Sequence, residues 1–309
     1  MITGAAGFLG QHIGRYFAAR GCQVVGLDMT AEPAGICDVY RRVELPGPAF
    51  REALREDRPD WIIHCAGRAS VPQSMADPAG DFQSSVALTF DLLNDLRVEL
   101  PACRFLFLSS AAIYGNPVSL PVQETHAPAP LSPYGFHKWQ CEQLCAEFST
   151  IYGLSTASVR IFSAYGTGLR RQVVWDLCAK ALSAPALQLQ GTGRESRDFI
   201  HANDVARGLH AVATGAPMQG EIYNLASGTE VAIGDLAALV LKALRLDKPL
   251  EFDGVLPAGN PRNWRADISR IAALGFRPEV SFESGLAEVA TWCEQQLAKT
   301  VAAVTQPDR

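Results

Sequence analysis

The 309-residue sequence predicts an α/β protein: a doubly wound parallel sheet followed by a smaller C-terminal α/β lobe. Three observations carry that expectation. Short apolar runs alternate with longer amphipathic stretches through the first half, the pattern of parallel strands joined by crossover helices. A glycine-rich loop opens the chain, between its first apolar residues and its first amphipathic stretch. Beyond about residue 165, Gly and Pro become more frequent and clean strand–helix pairs fewer, which marks a second lobe. The expected division is 1–164 and 165–309, with a segment near 199–228 returning to the first domain.

The elements follow in order. Only three residues precede the first glycine, so the first strand is expected to be short, as though a few residues were missing ahead of it. Strands are expected at 22–27 (CQVVGL), 61–64 (WIIH), 105–108 (FLFL) and 155–162 (STASVRIF), and at 221–225 (EIYNL) as the returning strand. Helices are expected at 11–20, 49–56, 82–99 and 134–152. The last begins at Ser132, a capping residue, with Pro133 in its first turn.

Composition limits the function. Hydrophobic residues make up 48% and charged residues 19%, as in an ordinary soluble domain, and the net charge of −5 gives no reason to expect nucleic acid. There is no apolar run of membrane length, and the start reads as a strand and loop rather than a signal peptide. Eight cysteines without a C-x-x-C pair suggest reduced thiols in a cytoplasmic enzyme. Cys141 and Cys145, one turn apart, suit core packing, and no cluster has metal-ligand spacing.

The opening loop reads Gly4-Ala5-Ala6-Gly7-Phe8-Leu9-Gly10. Its small residues let the backbone turn sharply and approach a pyrophosphate, which the next helix meets with free N–H groups. Asp28 follows Gly10 by 18 positions, at the end of the second strand, where a carboxylate can accept the adenosine ribose hydroxyls. A carboxylate there repels a 2′-phosphate, so NAD is favoured over NADP. Tyr134 and Lys138 stand four apart on one helical face. An ammonium near a phenol favours phenolate, the form that can take a hydroxyl proton while hydride moves. Ser110 closes the 105–108 run and can hydrogen-bond the same substrate oxygen.

With GAAGFLG at 4–10, Asp28, HCAG at 64–67, SSAAIYG at 109–115, YGFHK at 134–138, RDFIHANDVA at 197–206 and YNLASG at 223–228, the chain resembles the extended short-chain dehydrogenase/reductase family. Within it the match is to the nucleotide-sugar epimerase/dehydratase branch, in the manner of UDP-glucose 4-epimerases. The resemblance implies a Rossmann-type NAD domain and a lobe for a nucleoside-diphosphate sugar. It implies Ser110, Tyr134 and Lys138 as the catalytic set, with Glu44, Leu45, Ala66 and Gly67 joining the loop, Asp28, Tyr134 and Lys138 around the cofactor. It implies Ser110, Ser163, Arg197 and Arg262 around the substrate, and a homodimer formed through helices near 82–99 and 134–152.

Departures from the branch narrow the reaction. Its 4,6-dehydratases carry an acid after the strand-end hydroxyl, whereas Ala111 and Ala112 can neither give nor take a proton. Two chemistries survive: a C4 epimerase that returns its hydride, expected on a UDP-hexose, and a nucleotide-4-ketosugar reductase that consumes NADH. A redox-silent NAD sensor is disfavoured by the Tyr–Lys pair. Ser163 stands where UDP-glucose 4-epimerases usually have asparagine, Pro257 where they have arginine, and Ser84 and Ser85 where the family has asparagine. Arg262 or Arg265 could replace the missing charge, and Arg68, Arg170 and Arg171 are further candidates for phosphate or substrate.

Overall fold

The computed structural model describes residues 1–33, 35–255 and 261–305, with side chains through Lys299. Its strands are β1 (Ile2–Thr3), β2 (Val25–Asp28), β3 (Val39–Arg42), β4 (Trp61–His64), β5 (Arg104–Ser110) and β6 (Thr156–Ile161). They continue with β7 (Ser163–Tyr165), β8 (Leu187–Leu189), β9 (Ser196–His201), β10 (Gln219–Leu225), β11 (Glu230–Ala232) and β12 (Leu250–Phe252). The helices are α1 (Phe8–Ala18), α2 (Pro48–Asp57), α3 (Val71–Ala76), α4 (Pro78–Phe82), α5 (Leu88–Glu99) and α6 (Pro133–Tyr152). After them come α7 (Gln172–Ser183), α8 (Ala202–Gly215), α9 (Ile233–Ala243), α10 (Ser269–Ala272) and α11 (Phe282–Thr305).

Seven strands form one parallel sheet in the order β10-β6-β5-β4-β1-β2-β3. Because β1 lies between β2 and β4, the chain winds outward in both directions from that point. The crevice at the carboxyl ends of β1 and β4 is where such sheets bind ligands. Separate apolar layers cover the two faces, one including Ile13, Phe17 and Leu209, the other Leu54, Leu92 and Phe148. Beyond the sheet, β11-β9-β7 and β12-β8 pack with α7, α9 and α11 around Leu177, Leu236 and Leu286.

Two features of the sheet escape the sequence pattern. The third strand, β3, has no apolar run, since only Val39 and Tyr40 of VYRR are hydrophobic. The stretch 82–99 is one continuous path but not one regular helix, because a π-helical turn at Gln83–Ala87 separates α4 from α5. That wide turn brings the Ser84 carbonyl so close to Gly67 (φ 119°) that a Cβ there would meet it at 2.8 Å. Such turns recur at functional sites.

His64 ends β4 in complete burial, with Nδ1 2.7 Å from Thr3 Oγ1 and Nε2 3.4 Å from Thr89 Oγ1. The Ala66 amide donates to Thr3 Oγ1 and Thr89 donates to the Ser85 carbonyl, which assigns a neutral ring accepting at Nδ1. Burial, reinforced by the Lys138 charge, pulls the imidazole down to about 3 from 6.5. The unfolded chain therefore binds a proton in this window that the folded one refuses, so stability is complete above pH 6.5 and drains as pH falls toward 3. The expected slope is about 1.4 kcal/mol per pH unit. Urea unfolding at pH 7 and pH 4.5 should show that loss in the parent and a flatter response in His64→Gln. Parallel losses in both proteins would remove His64 as the cause.

Candidate active site

A cavity of about 770 Å³ opens at the crevice and runs between the sheet and the second lobe. Gly4, Gly7, Phe8, Leu9 and Gly10 line it at one end. Gly4 takes a left-handed φ of 68°, and a Cβ there would meet the Ala66 amide nitrogen at 2.8 Å. A Cβ on Gly10 would fall 2.2 Å from the Gly4 carbonyl, so the loop can curl this tightly only as glycine. Gly7 caps α1 with no side chain, and no acid sits in that first turn. The helix therefore presents its amides and positive dipole end to the cavity, a cradle that fits a dinucleotide pyrophosphate.

Asp28 stands at the end of β2 rather than in the cavity wall. Its Oδ2 accepts from the Ala6 amide at 3.0 Å, tying the glycine loop down, and its Oδ1 accepts from the Thr30 amide and hydroxyl. Glu44 (exposed) and Leu45 (half-buried) lie just past β3 at the same edge of the sheet. Gly67 lines the cavity, whereas Ala66 holds Thr3 from behind it.

Ser110, Tyr134 and Lys138 line the same cavity as the glycine loop. Strand β5 delivers Ser110, whose Oγ accepts from the Ala112 amide at 3.2 Å and so starts the 3-10 turn Ala111–Tyr114. Helix α6 delivers the other two. Ser132 caps it by accepting from the Gly135 amide, Pro133 fills the first turn, and the Tyr134 amide donates to Ser74 Oγ of α3 at 3.1 Å. The buried stripe of α6 runs through Gly135, Lys138, Cys141, Glu142, Cys145 and Phe148, at three- and four-residue spacing. Lys138 Nζ donates to the Leu108 carbonyl at 2.9 Å and lies 4.7 Å from the Phe107 ring centroid and 6.0 Å from that of Tyr134. One of its three protons is thus spent on β5, and the others remain for groups in the cavity. Ala112 places a bare methyl on the wall beside Ser110, and Ala111 is buried.

Beneath this set lies a polar network that the motifs do not announce. Glu142, buried on the α6 stripe, accepts from Ser109 Oγ at 2.6 Å and forms a forked ion pair with Arg160 of β6, closest at 2.6 Å. The Arg160 guanidinium lies 4.7 Å from the centroid of the Tyr114 ring, whose hydroxyl donates to Asn224 Oδ1 at 2.7 Å. Tyr114, the aromatic of SSAAIYG, is therefore part of the support and not of the cavity. Burial pushes its phenol up to about 12 despite the nearby Arg160 charge.

The second lobe supplies the opposite wall. Arg197 on β9 lines the cavity 5.5 Å from the Trp264 ring centroid, its Nη1 donating to the Ser196 and Arg262 carbonyls. Burial, only partly offset by Glu195, lowers its pKa to about 10. Arg262 thus contributes its carbonyl to the site, while its side chain is exposed. Ser163 lines the cavity from β7. Arg68 lines it but is paired with Asp77 at 2.6 Å, and Arg170 reaches Gln296 of α11 at 2.5 Å. Arg171 lines the cavity too, whereas Arg265 meets Val122 through its carbonyl. Pro257 lies outside the described residues. Next to Arg197, buried Asp198 accepts from the Ser227 amide and hydroxyl and from the Gly228 and Ala266 amides, clamping the segments that frame this wall. Among the described residues no group of three or more His, Cys, Asp or Glu side chains is placed to hold a metal ion.

Comparison with known proteins agrees with this geometry. Residues 1–226 match the model of the NAD dependent epimerase/dehydratase family. The chain is 28% identical to the GDP-6-deoxy-D-mannose reductase of Pseudomonas aeruginosa, over 92% of this chain and 93% of that one. Among solved structures it superposes on the UDP-glucose 4-epimerase of Thermus thermophilus in complex with NAD, with a TM-score of 0.85, 28% identity and coverage of 95% and 98%. It also superposes on the UDP-glucuronic acid 4-epimerase of Bacillus cereus in complex with UDP-glucuronic acid and NAD, with a TM-score of 0.87, 25% identity and coverage of 96% and 98%. With the family model spanning most of the chain, and a glycine cradle and Tyr–Lys pair facing one cavity, the protein belongs to the NAD dependent epimerase/dehydratase family.

Proposed function

We propose that the protein is a nucleotide-sugar 4-epimerase that works with NAD on a UDP-sugar, with Ser110, Tyr134 and Lys138 as its catalytic residues. The observation that carries this reading is the cavity wall itself: Ser110, Tyr134 and Lys138 face one space with the glycine loop, and a methyl stands beside Ser110. Elimination across C5–C6 needs a proton donor and acceptor at that place, and an alanine is neither.

Gly4, Gly7, Phe8, Leu9 and Gly10 hold the pyrophosphate, and Asp28 the adenosine ribose. Glu44, Leu45, Ala66 and Gly67 flank the adenine side, and Tyr134 and Lys138 the nicotinamide ribose. Bound NAD supplies the hydride acceptor, and afterwards the donor, at C4. Tyr134 takes the C4 hydroxyl proton and later returns it, Ser110 orients that oxygen, and Lys138, anchored to the Leu108 carbonyl, brings its ammonium to the same cavity. Arg197 pairs with the diphosphate, for which a guanidinium fork is suited, with Ser163 and Arg262 completing the substrate wall.

Residues 1–164 form the NAD domain, with α8 and β10 of the stretch near 199–228 returning to it, and the remainder of 165–309 is mainly the nucleotide-sugar lobe. The active form is a homodimer. Phe90, Phe136, Ile151 and Tyr152 stand on α5 and α6 with between 42% and 67% of their surface exposed, an apolar face that a second copy would cover. The cytoplasm is the proposed location, since eight free cysteines suit a reducing compartment.

A panel of UDP-, dTDP- and GDP-sugars incubated with the purified protein tests the reading. Conversion of a UDP-sugar to its C4 epimer without net change in NADH is expected. Stoichiometric NADH consumption with a 4-ketosugar would replace the epimerase by the reductase.

A further inference from the structure

We infer that Arg171 recognises a carboxylate on the sugar, so that the substrate class is a nucleoside-diphosphate hexuronate. The inference rests on the nucleotide-sugar reading above and specifies its sugar.

Three arginines line the cavity, and Arg68 is already engaged by Asp77. Among the described residues no carboxylate lies within ion-pair distance of either of the other two, Arg197 and Arg171. They belong to different ends. Arg197 lies by Trp264 and the Arg262 carbonyl, in the wall of the second lobe. Arg171 crosses from the start of α7 to the loop after β4, where its Nη1 donates to the Ala69 carbonyl at 2.5 Å. Ala69 precedes Ser70, the cap of α3, and Ser74 of that helix accepts from the Tyr134 amide. The Arg171 head is thus anchored to the wall that packs on the Tyr134 turn.

A diphosphate held at Arg197 and a C4 hydroxyl held at Tyr134 place the pyranose between them. The C5 substituent, next to C4, then lies on the Tyr134 side, within the field of Arg171. A single neutral carbonyl is a weak partner for a guanidinium, whereas a carboxylate accepts two parallel N–H bonds from it. Arg171 is exposed, so exchanging one partner for the other costs little burial. The alanines agree: a uronate has no C6 hydroxyl to eliminate and needs no acid at Ala111 or Ala112.

Calorimetric titration of the full chain with UDP-glucuronate, UDP-glucose and UDP decides it. UDP-glucuronate should bind at least ten-fold more tightly than UDP-glucose, and Arg171→Gln should reduce that ratio to below two-fold, with Arg171→Lys intermediate. The Arg171 side chain gives α7 no capping bond, and its bond to the Ala69 carbonyl is exposed, so the variants should melt close to the parent. Equal affinities for the two sugars in the parent would overturn the inference. So would an equal loss for UDP and both sugars in Arg171→Gln, which would put the arginine on the diphosphate. Selective uronate binding without C4 conversion would keep the inference and sink the epimerase, whereas turnover of UDP-glucose alone would do the reverse.

Discussion

Tyr134→Phe is expected to lower kcat by about two to four orders of magnitude, the range general acid–base catalysis supplies, while NAD stays bound. The substitution removes one oxygen and leaves the ring, the hydrogen bond from the Tyr134 amide to Ser74 and the Ser132 cap in place, so helix α6 has no reason to move. Lys138 stays fixed by the Leu108 carbonyl, which the phenol does not touch. The loss should therefore fall on kcat, with nucleotide-sugar affinity changed little, because the hydroxyl matters when the C4 proton moves. Initial rates with the best substrate of the panel, together with NAD content after gel filtration, check both halves. Retention of more than about a tenth of the parent kcat would pass the proton to another group, since a positioned base is worth at least ~100-fold.

That such a variant can be named from a sequence reflects how local the catalytic signal is. The glycine loop is seven consecutive residues, and Tyr134 and Lys138 share a face because any helix aligns positions four apart. Ser110 is legible as the first hydroxyls after an apolar run. The parts that were not legible depend on partners far along the chain. Glu142, one turn beyond Lys138, is marked by no motif, and Arg160, 18 residues later on β6, makes its burial possible. Arg262 reads as a charge for phosphate, yet its carbonyl is what meets Arg197. The stretch 82–99 has a helical pattern throughout, and the π-helical turn arises where Ser84 approaches Gly67, a contact no periodicity encodes. Tyr114 sits in a motif beside Ser110, but its hydroxyl is consumed by Asn224, 110 residues away.

Arg160→Met should destabilise the fold by about 3–5 kcal/mol, the usual cost of leaving one member of a buried ion pair alone. Glu142 has no solvent to turn to, and its carboxylate would be left with the Ser109 hydrogen bond and no positive charge beside it. The same residue also holds the Glu124 carbonyl and lies against Tyr114, so the loop behind the Ser110 strand would lose its prop. Adding Glu142→Gln to Arg160→Met removes the orphaned charge, and the double variant should regain part of the loss despite carrying one more substitution. Urea unfolding of the parent, both single variants and the double variant measures this coupling directly. A single-variant loss below about 1 kcal/mol would mean water reaches Glu142, as it does for exposed pairs. If the network holds Ser110 as described, Arg160→Met should also lose activity under conditions where it is still folded. The reason is mechanical: Ser109 and Ser110 are consecutive on β5, and the bond from Ser109 to Glu142 fixes the strand end that presents Ser110 to the cavity.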